Sequence, residues 1–385
     1  MSDKSQWKSF KFFEIADNIV ERIMPEPADS KYYIGLEHLD SGSLHISRWG
    51  SETELIGEKL RIRKGDILFA RRNAYLKRVA VAPFDGIFSA HGMVLRPKEN
   101  VVLPDFFPFF MQSDIFMDKA IQISVGSLSP TVNWGTLKQQ EFILPPIDEQ
   151  RRIAEILRGA DEYIVKLQKL IESLRVFRNK FYANTQTECY FKSNSIPFKT
   201  ERIKDAFEIC NNLRKPLSAN VRSTIKGSYP YYGATGILDY INEYRVDGEY
   251  ALIGEDGDHF LKYEIWNMTH LINGKNNFNN HAHIIKGKNG NLTKWFYYYY
   301  KHRDIVPSLL KQGSGRLKLN KSTLEQMKIV LPNVRAQIDL CNKYDEIENS
   351  WRISNDALNR AKNLLQNLSC SLLGGELLCL MRIIP

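Results

Sequence analysis

Apolar residues recur at alternating steps of three and four along two proline-free intervals, between Pro146 and Pro197 and between Pro332 and Pro385. In the first, Ile153, Ile156, Ala160, Tyr163, Leu167, Leu170, Leu174, Phe177 and Phe181 form a heptad seam flanked by charges such as Arg151, Glu155, Lys166 and Glu172. Pro145-Pro146 sets an extended approach, and Asp148-Glu149 places negative charge on the first turn, so a helix is predicted to start there. Running to about Asn184, it would span roughly 55 Å at 1.5 Å per residue. The second interval repeats the pattern with Leu340, Tyr344, Ile347, Trp351, Leu358, Ala361, Leu365, Leu368 and Leu372, with polar Ser354 interrupting it. A seam of that length left in water would be a liability. The two helices are therefore expected to pair as an antiparallel coiled coil and to act as a rigid spacer; the alternative is that each packs separately on its own domain.

Outside these intervals the pattern shortens to β-rich runs bounded by turns, such as Asp66-Ile67-Leu68-Phe69-Ala70, Arg78-Val79-Ala80-Val81-Ala82, Tyr250-Ala251-Leu252-Ile253-Gly254 and His281-Ala282-His283-Ile284-Ile285. Each half also holds an aromatic run, Phe106 to Phe110 and Trp295 to Tyr300. Such runs could serve as stacking platforms for single-stranded nucleic acid, but six consecutive aromatics cannot all face a ligand, and core is the stronger reading. The two halves close alike. Gly126-Ser127, Thr136-Leu137, Phe142-Ile143-Leu144-Pro145 and Gln150 return as Gly313-Ser314, Thr323-Leu324, Ile329-Val330-Leu331-Pro332 and Gln337, every pair 187 positions apart. That register implies a duplicated folding unit. The expected fold class is α/β (α+β), with a pseudo-two-fold internal repeat. Globular domains are expected at 1–145 and 191–332, helices at 146–190 and 333–375, and an atypical apolar tail at 376–385.

Composition adds limits. With 385 residues and 43% hydrophobic content, each half can bury its own core. No run of about 18 apolar residues occurs and the first residues lack the apolar centre of a secretory signal, so a cytoplasmic protein without a membrane partner is expected. Five cysteines, none spaced Cys-x-x-Cys, indicate neither a disulfide framework nor a zinc site. The formal charge of +9 becomes informative where it clusters. Between Gly57 and Lys98 ten basic residues face three acidic ones, and Asn73, Tyr75 and His91 are interleaved with them. This suits a polyanion, although a solvated basic face has the same composition.

The phrases Gly65-Asp66-Ile67-Leu68-Phe69-Ala70-Arg71-Arg72-Asn73, Pro130-Thr131-Val132-Asn133-Trp134, Tyr229-Pro230-Tyr231-Tyr232-Gly233-Ala234-Thr235-Gly236 and Asn279-Asn280-His281-Ala282-His283 stand beside Leu144-Pro145-Pro146-Ile147-Asp148-Glu149-Gln150-Arg151-Arg152-Ile153. Together they closely resemble the specificity subunit of type I restriction-modification systems, over nearly the whole chain. The resemblance implies two target recognition domains, each reading half of a split duplex-DNA sequence. It places Arg71, Arg72, Asn73, Tyr75, Lys77, Arg78, His91, Ser127, Ser129 and Asn133 on one DNA-facing surface. Tyr231, Tyr232, Thr235, Asp256, Asn276, Asn277, Asn279, His281, Ser314 and Arg316 fall on the other. It also implies that the helices dock two methyltransferase subunits and, with them, restriction subunits, with Gln150, Ile153, Ile156, Leu167, Leu174, Gln337, Leu340, Ile347, Leu358 and Leu365 as the docking residues. Helix length would then set the half-site spacing, which band shifts on a spacer series check.

No catalytic centre is legible. A DNA amine methyltransferase needs an Asn/Asp-Pro-Pro-Tyr loop and a Gly-rich turn; Leu144-Pro145-Pro146-Ile147 lacks the polar residue and Gly313-Ser314-Gly315 is too short. Glu255-Asp256-Gly257-Asp258 with His259 reads as a turn, or as carboxylates accepting from cytosine, before it reads as a metal site. His281 and His283 lack a third zinc ligand nearby. A non-catalytic subunit is expected, with S-adenosylmethionine, ATP and magnesium on its partners and no cofactor on this chain. The alternatives are a specificity subunit of a methylation-only or phage-exclusion system, and a coiled-coil protein scaffold. The second helix departs from the first by opening Leu331-Pro332-Asn333-Val334, without the second proline and the glutamate, so a weaker hold on a partner is expected there.

Overall fold

Alternation along one short strand sets the layering of the first half. In Ile67–Phe69, Ile67 and Phe69 enter one core while Leu68 enters another on the opposite face, as a pleat of period two requires. This is a computed structural model, describing residues 4–51, 53–312 and 316–374. The chain divides into two units, one running to Leu167 and resuming at Ala357, the other spanning 168–356.

In the first unit, strands Ala16–Ile19, Met93–Pro97, Ile67–Phe69 and Val79–Val81 form an antiparallel sheet in that order. A second sheet, ordered Arg22–Ile23, Lys59–Ile62, Gly86–Ser89, Tyr33–Ile34, faces it across Leu60, Ile62, Leu68, Ala80, Phe88 and Val94. The first sheet's other face is covered by helices Phe107–Gln112 and Asp114–Gln122. There Phe12, Phe107, Phe110, Phe116 and Phe142 pack with ring centroids 5.4–6.4 Å apart.

The second unit repeats the order with Phe207–Ile209, Ala282–Gly287, Tyr250–Gly254 and Thr269–Ile272. Its other sheet runs Gly236–Ile241, Lys226–Gly233, Lys275–Phe278, Val246–Asp247. Helix Thr293–Lys301 buries every aromatic of its run except half-buried Tyr297. The polar ends find partners, Trp295 Nε1 donating to the Val330 carbonyl at 3.0 Å and Tyr300 Oη to that of Lys328 at 2.8 Å. Both aromatic runs are core, as expected.

The strand registers extend the internal repeat well beyond its legible end. Ile67 pairs with Leu95 and Val81 just as Ala251 pairs with Ile285 and Leu271. Phe12 and Ile203, Ile67 and Ala251, Leu95 and Ile285, Leu144 and Leu331 are thus equivalents, separated by 191, 184, 190 and 187 positions. Loops of different length lie between blocks whose register is kept.

Two long helices, Ile147–Thr185 and Val334–Leu373, contribute to both units and run antiparallel within each. In the first unit Ile153 and Leu157 share one core with Leu373, and Ile164 and Leu167 form a smaller one with Ala361. In the second, Tyr182 meets Tyr344 at 4.5 Å and donates from Oη to Glu348 at 2.8 Å. The architecture is the expected mixed α/β fold of two tandem strand-rich units with long helices. The apolar tail, 376–385, lies outside the described residues.

Candidate nucleic-acid interface

In each unit three segments converge beyond the end of one central strand. The strand holding Phe69 runs on into Arg71-Arg72, and the one holding Ile253 into Glu255-Asp256. A loop ahead of a short helix then lies antiparallel on each pair: the Val132 amide donates to the Arg71 carbonyl at 3.0 Å, and the Leu319 amide to that of Glu255 at 2.8 Å. Arg72 is bridged to Thr131 and Asp256 to Lys318. The third segment is a turn carrying a histidine, whose amide is capped by the side chain two residues earlier. His91 donates to Ser89 Oγ at 3.4 Å and His281 to Asn279 Oδ1 at 2.8 Å.

The first site is cationic. Arg72, His91 and Tyr75 are exposed, Arg71 is half-buried, and among the described residues no ion pair involves Arg71 or Arg72. Burial, then Arg22 and Arg72, holds the Arg71 guanidinium below its ordinary value, and its Nε is buried without a partner. Burial and then Arg72, Arg71 and Lys59 hold the His91 imidazole below its ordinary value, favouring the neutral ring. Ser127, Ser129 and Asn133 are exposed on the apposed loop beside Val125 and Leu128. Asn73 is left-handed at φ 56°, a conformation its short polar side chain tolerates, and its amide donates to the Pro130 carbonyl at 2.8 Å. Two of the expected contacts are bonded within the unit. Lys77 is paired to Asp114 at 2.6 Å and Asp118 at 3.6 Å, and Arg78 donates to the Leu36 carbonyl at 2.8 Å, so both staple the unit itself.

The second site is built on carboxylates. Glu255 receives Arg214 at 3.0 Å and Lys318 at 3.5 Å, and Asp256 lies 3.4 Å from exposed His281. Behind them His283 is buried. Its Nε2 donates to the Leu319 carbonyl at 2.7 Å while Nδ1 accepts from Arg214 and Asn211 at 2.9 and 3.0 Å; burial holds this imidazole below its ordinary value, favouring the neutral ring. His283 is therefore a structural pin, and among the described residues no cluster of three His, Cys, Asp or Glu could hold a metal.

Several expected contacts of this half are corrected. Tyr231 is fully buried, its Oη donating to the Lys215 carbonyl and accepting from the Leu217 amide, both at 2.9 Å. Asn276 and Asn277 are 1% exposed and Asn279 8%. Asn276 caps the carbonyls of Asn273 and Gly274, Asn277 accepts from the Phe278 amide, and Asn279 holds the histidine turn. An asparagine-rich run serves turns as readily as bases. Tyr232 is half-buried against Phe278, whereas Thr235 is exposed. Ser314 lies outside the described residues, and of Arg316 only the backbone is described, in strand Arg316–Lys318. Glu255 belongs to the acidic phrase singled out in the sequence, whereas Arg214 and Lys318 were not anticipated. Lys318 was within reach, being Thr131 displaced by the legible 187.

The helical docking residues divide. Gln150 is fully buried, accepting from the Leu103 amide at 2.8 Å and donating to the carbonyls of Val101 and Pro145 at 2.9 Å. Gln337 does the same with the Leu292 amide, Asn291 Oδ1 and the Pro332 carbonyl. Both pin their own unit, as do buried Ile153, Leu167 and Leu340. Leu174, Ile347, Leu358 and Leu365 are half-buried, and Ile156 is exposed. Asn333 caps its helix by accepting from the Ala336 amide at 2.9 Å, so the missing proline is replaced by a capping side chain. No helix among the described residues is long and apolar enough to cross a membrane.

Comparison with known proteins places this architecture. The model of the type I restriction modification DNA specificity domain matches residues 29–174 and again 195–360. A protein described as a type I restriction enzyme specificity subunit in Haemophilus influenzae is 35% identical over 145 residues, 38% of this chain and 36% of its own length. The MjaX specificity subunit of Methanocaldococcus jannaschii is 30% identical over 44% of this chain and 41% of its own length. The chain thus spans about two fifths of these relatives. The EcoKI specificity subunit of Escherichia coli K12 is 20% identical over 84% of this chain and 77% of itself. Among solved structures, the S subunit of a type I system from M. genitalium covers 97% of the chain and is itself wholly covered, with a TM-score of 0.66 at 15% identity, a likeness of fold. With its family model matched twice, once in each half, the chain belongs to the type I restriction-modification DNA specificity domain family.

Proposed function

We propose that this chain is the DNA-reading subunit of a type I restriction-modification complex, each unit addressing one half of a bipartite duplex target. The observation that carries this reading is the recurrence of one three-segment site in both units, at the end of equivalent strands, in a chain whose family model also matches twice. Base identity in duplex DNA is read chiefly in the major groove, by donors and acceptors on short protruding segments. Exposed Arg72, His91, Ser127, Ser129 and Asn133 suit that task in the first unit; Thr235, Asp256 and His281 suit it in the second. The long helices dock methyltransferase subunits, and restriction subunits join through the complex. Methyl donor, ATP and magnesium belong to those partners in this reading, and this chain is non-catalytic.

The test is to map methylated positions in a methylation-deficient host expressing the chain with its methyltransferase, against the methyltransferase alone. A split motif with two short defined halves, present only with this chain, is the expected result. Absence of any new motif from a folded, associated complex would end the reading.

A further inference from the structure

We infer that the two units read their half-sites with opposite hydrogen-bond chemistry at one equivalent position, Arg72 addressing acceptors on a base edge and Asp256 addressing an exocyclic amino group. This rests on the DNA-reading role proposed above and goes further, naming the specificity-determining residue of each unit.

The equivalence comes from backbone register. Phe69 pairs with Met93 and Val79; Ile253 pairs with His283 and Thr269, the same sheet neighbours in the same order. Arg72 stands three residues beyond Phe69, and Asp256 three beyond Ile253. Each is bridged to the loop ahead of the short helix, at Thr131 and at Lys318, 187 positions apart. The flanking histidines, His91 and His281, are separated by 190, the displacement of the strands on either side of them. One scaffold therefore carries opposite charges at the same place.

A phosphate-binding role does not produce that inversion. Phosphates are alike in both half-sites, and a carboxylate facing one is repelled. What differs between half-sites is the pattern of base edges. The Arg fork donates two hydrogen bonds to guanine N7 and O6, while a carboxylate accepts from an exocyclic amine, as of cytosine.

The local environments fit these roles. Arg72 is exposed and without an ion pair among the described residues. In the second unit the neighbouring carboxylate, Glu255, is paired with Arg214 and Lys318. Asp256, its side chain 18% exposed, lies beside His281. A carboxylate offers about four lone-pair sites, so it can hold a protein partner and still accept from a base edge. Attraction to phosphates in that unit comes from elsewhere, since residues 168–356 hold 28 basic against 20 acidic residues.

The experiment uses the full chain coexpressed with its methyltransferase. The wild-type methylation motif is mapped first; a complex with no motif would overturn the DNA-reading role itself, before any variant is made. The purified complex is then tested in competition between the cognate duplex and duplexes changed at single base pairs. Asp256→Asn is expected to lower discrimination roughly 10- to 100-fold at one base pair of one half-site, and Arg72→Gln to do so at one pair of the other. Arg72→Lys keeps the charge and loses the fork, so it should relax the same pair as Arg72→Gln with an unchanged salt dependence. The inference is overturned if the variants weaken all duplexes equally, if discrimination is unaltered, or if both act on the same half-site.

Discussion

At the scale of single residues, the most informative side chains are those placed wrongly by sequence reasoning, because each was read as reaching outward and is bonded inward. Gln150 and Gln337 end the only stretch in which the repeat is legible, and both are buried hubs that tie the start of a long helix to a neighbouring turn. Replacing Gln150 by alanine strands an amide and two carbonyls, at a cost of about 2–4 kcal/mol. Hydrogen exchange should then show lost protection around Val101–Leu103 with 291–292 unaffected, and Gln337→Ala should give the reverse; equal losses in both places would refute separate pins. Glu348 poses a pH question. Burial pushes its carboxyl up, but Lys301 at 2.8 Å, Tyr182 and Arg178 outweigh that and hold it below its ordinary 4.5. A depressed carboxyl contributes stability that is present above its unfolded value and lost as the pH falls through its folded one. His302, pushed by burial and then Arg178 to about 3, adds its own acid sensitivity from 6.5 downward, in wild type and variant alike. Glu348→Gln should therefore cost about 3–5 kcal/mol near neutrality, by leaving Lys301 and Arg178 buried without their anion, and the cost should shrink below about pH 4.5. Unfolding free energies measured across pH check this, and a cost independent of pH would count against it. Tyr231, Asn276 and Asn277 carry a further lesson. Their residue types suit base edges and turns equally, and only burial separates the two uses.

At the scale of elements, both long helices and the central strands were legible, because their periods of 3.5 and 2 are local properties of the chain. The face of the first helix was not. Apolar residues occur as adjacent pairs, Ile156-Leu157 and Tyr163-Ile164, and such pairs allow two stripes one residue apart. Packing within the first unit selects Leu157 and Ile164, leaving Ile156 37% and Tyr163 52% exposed; in the second unit Leu170 and Phe177 are likewise outward. These four positions recur every seven residues, so the helix keeps an apolar face that its own units do not cover. Under the proposed function this face belongs to the methyltransferase. Tyr163→Glu should therefore leave the melting temperature of the isolated chain within a degree or two, yet lower affinity for the methyltransferase by about 30-fold or more, as loss of an interfacial tyrosine anchor does. Lys169→Glu, a charge change at an exposed neighbour, is the control. Titration calorimetry with both variants decides; equal binding by Tyr163→Glu and wild type would move the docking face elsewhere.

At the scale of the whole molecule, duplication was readable only where no loop intervenes. The displacement of 187 holds from Gly126 to Gln150, but loops of unequal length shift the earlier blocks to 191, 184 and 190, and gapless matching fails there although the sheet holding Phe69 and the one holding Ile253 keep the same strand order. The same accounting locates the charge. Residues assigned to the first unit balance at 25 basic against 24 acidic, and the second carries 28 against 20, so nearly all of the net +9 lies in the second unit. The first concentrates its excess locally, around Arg71 and Arg72; the second spreads it about an acidic site. If both units engage duplex DNA, binding must release counterions from many phosphates. The logarithm of the association constant should then fall linearly with that of salt, losing roughly 10³-fold between 50 and 200 mM for about six phosphate contacts. Coiled-coil docking through apolar helix faces has no such slope, so the two activities separate in one titration. DNA binding measured by fluorescence anisotropy should collapse across that range while association with the methyltransferase persists. A flat salt response of DNA binding would mean that the charge excess serves something other than phosphates, and would favour a protein scaffold over a DNA reader.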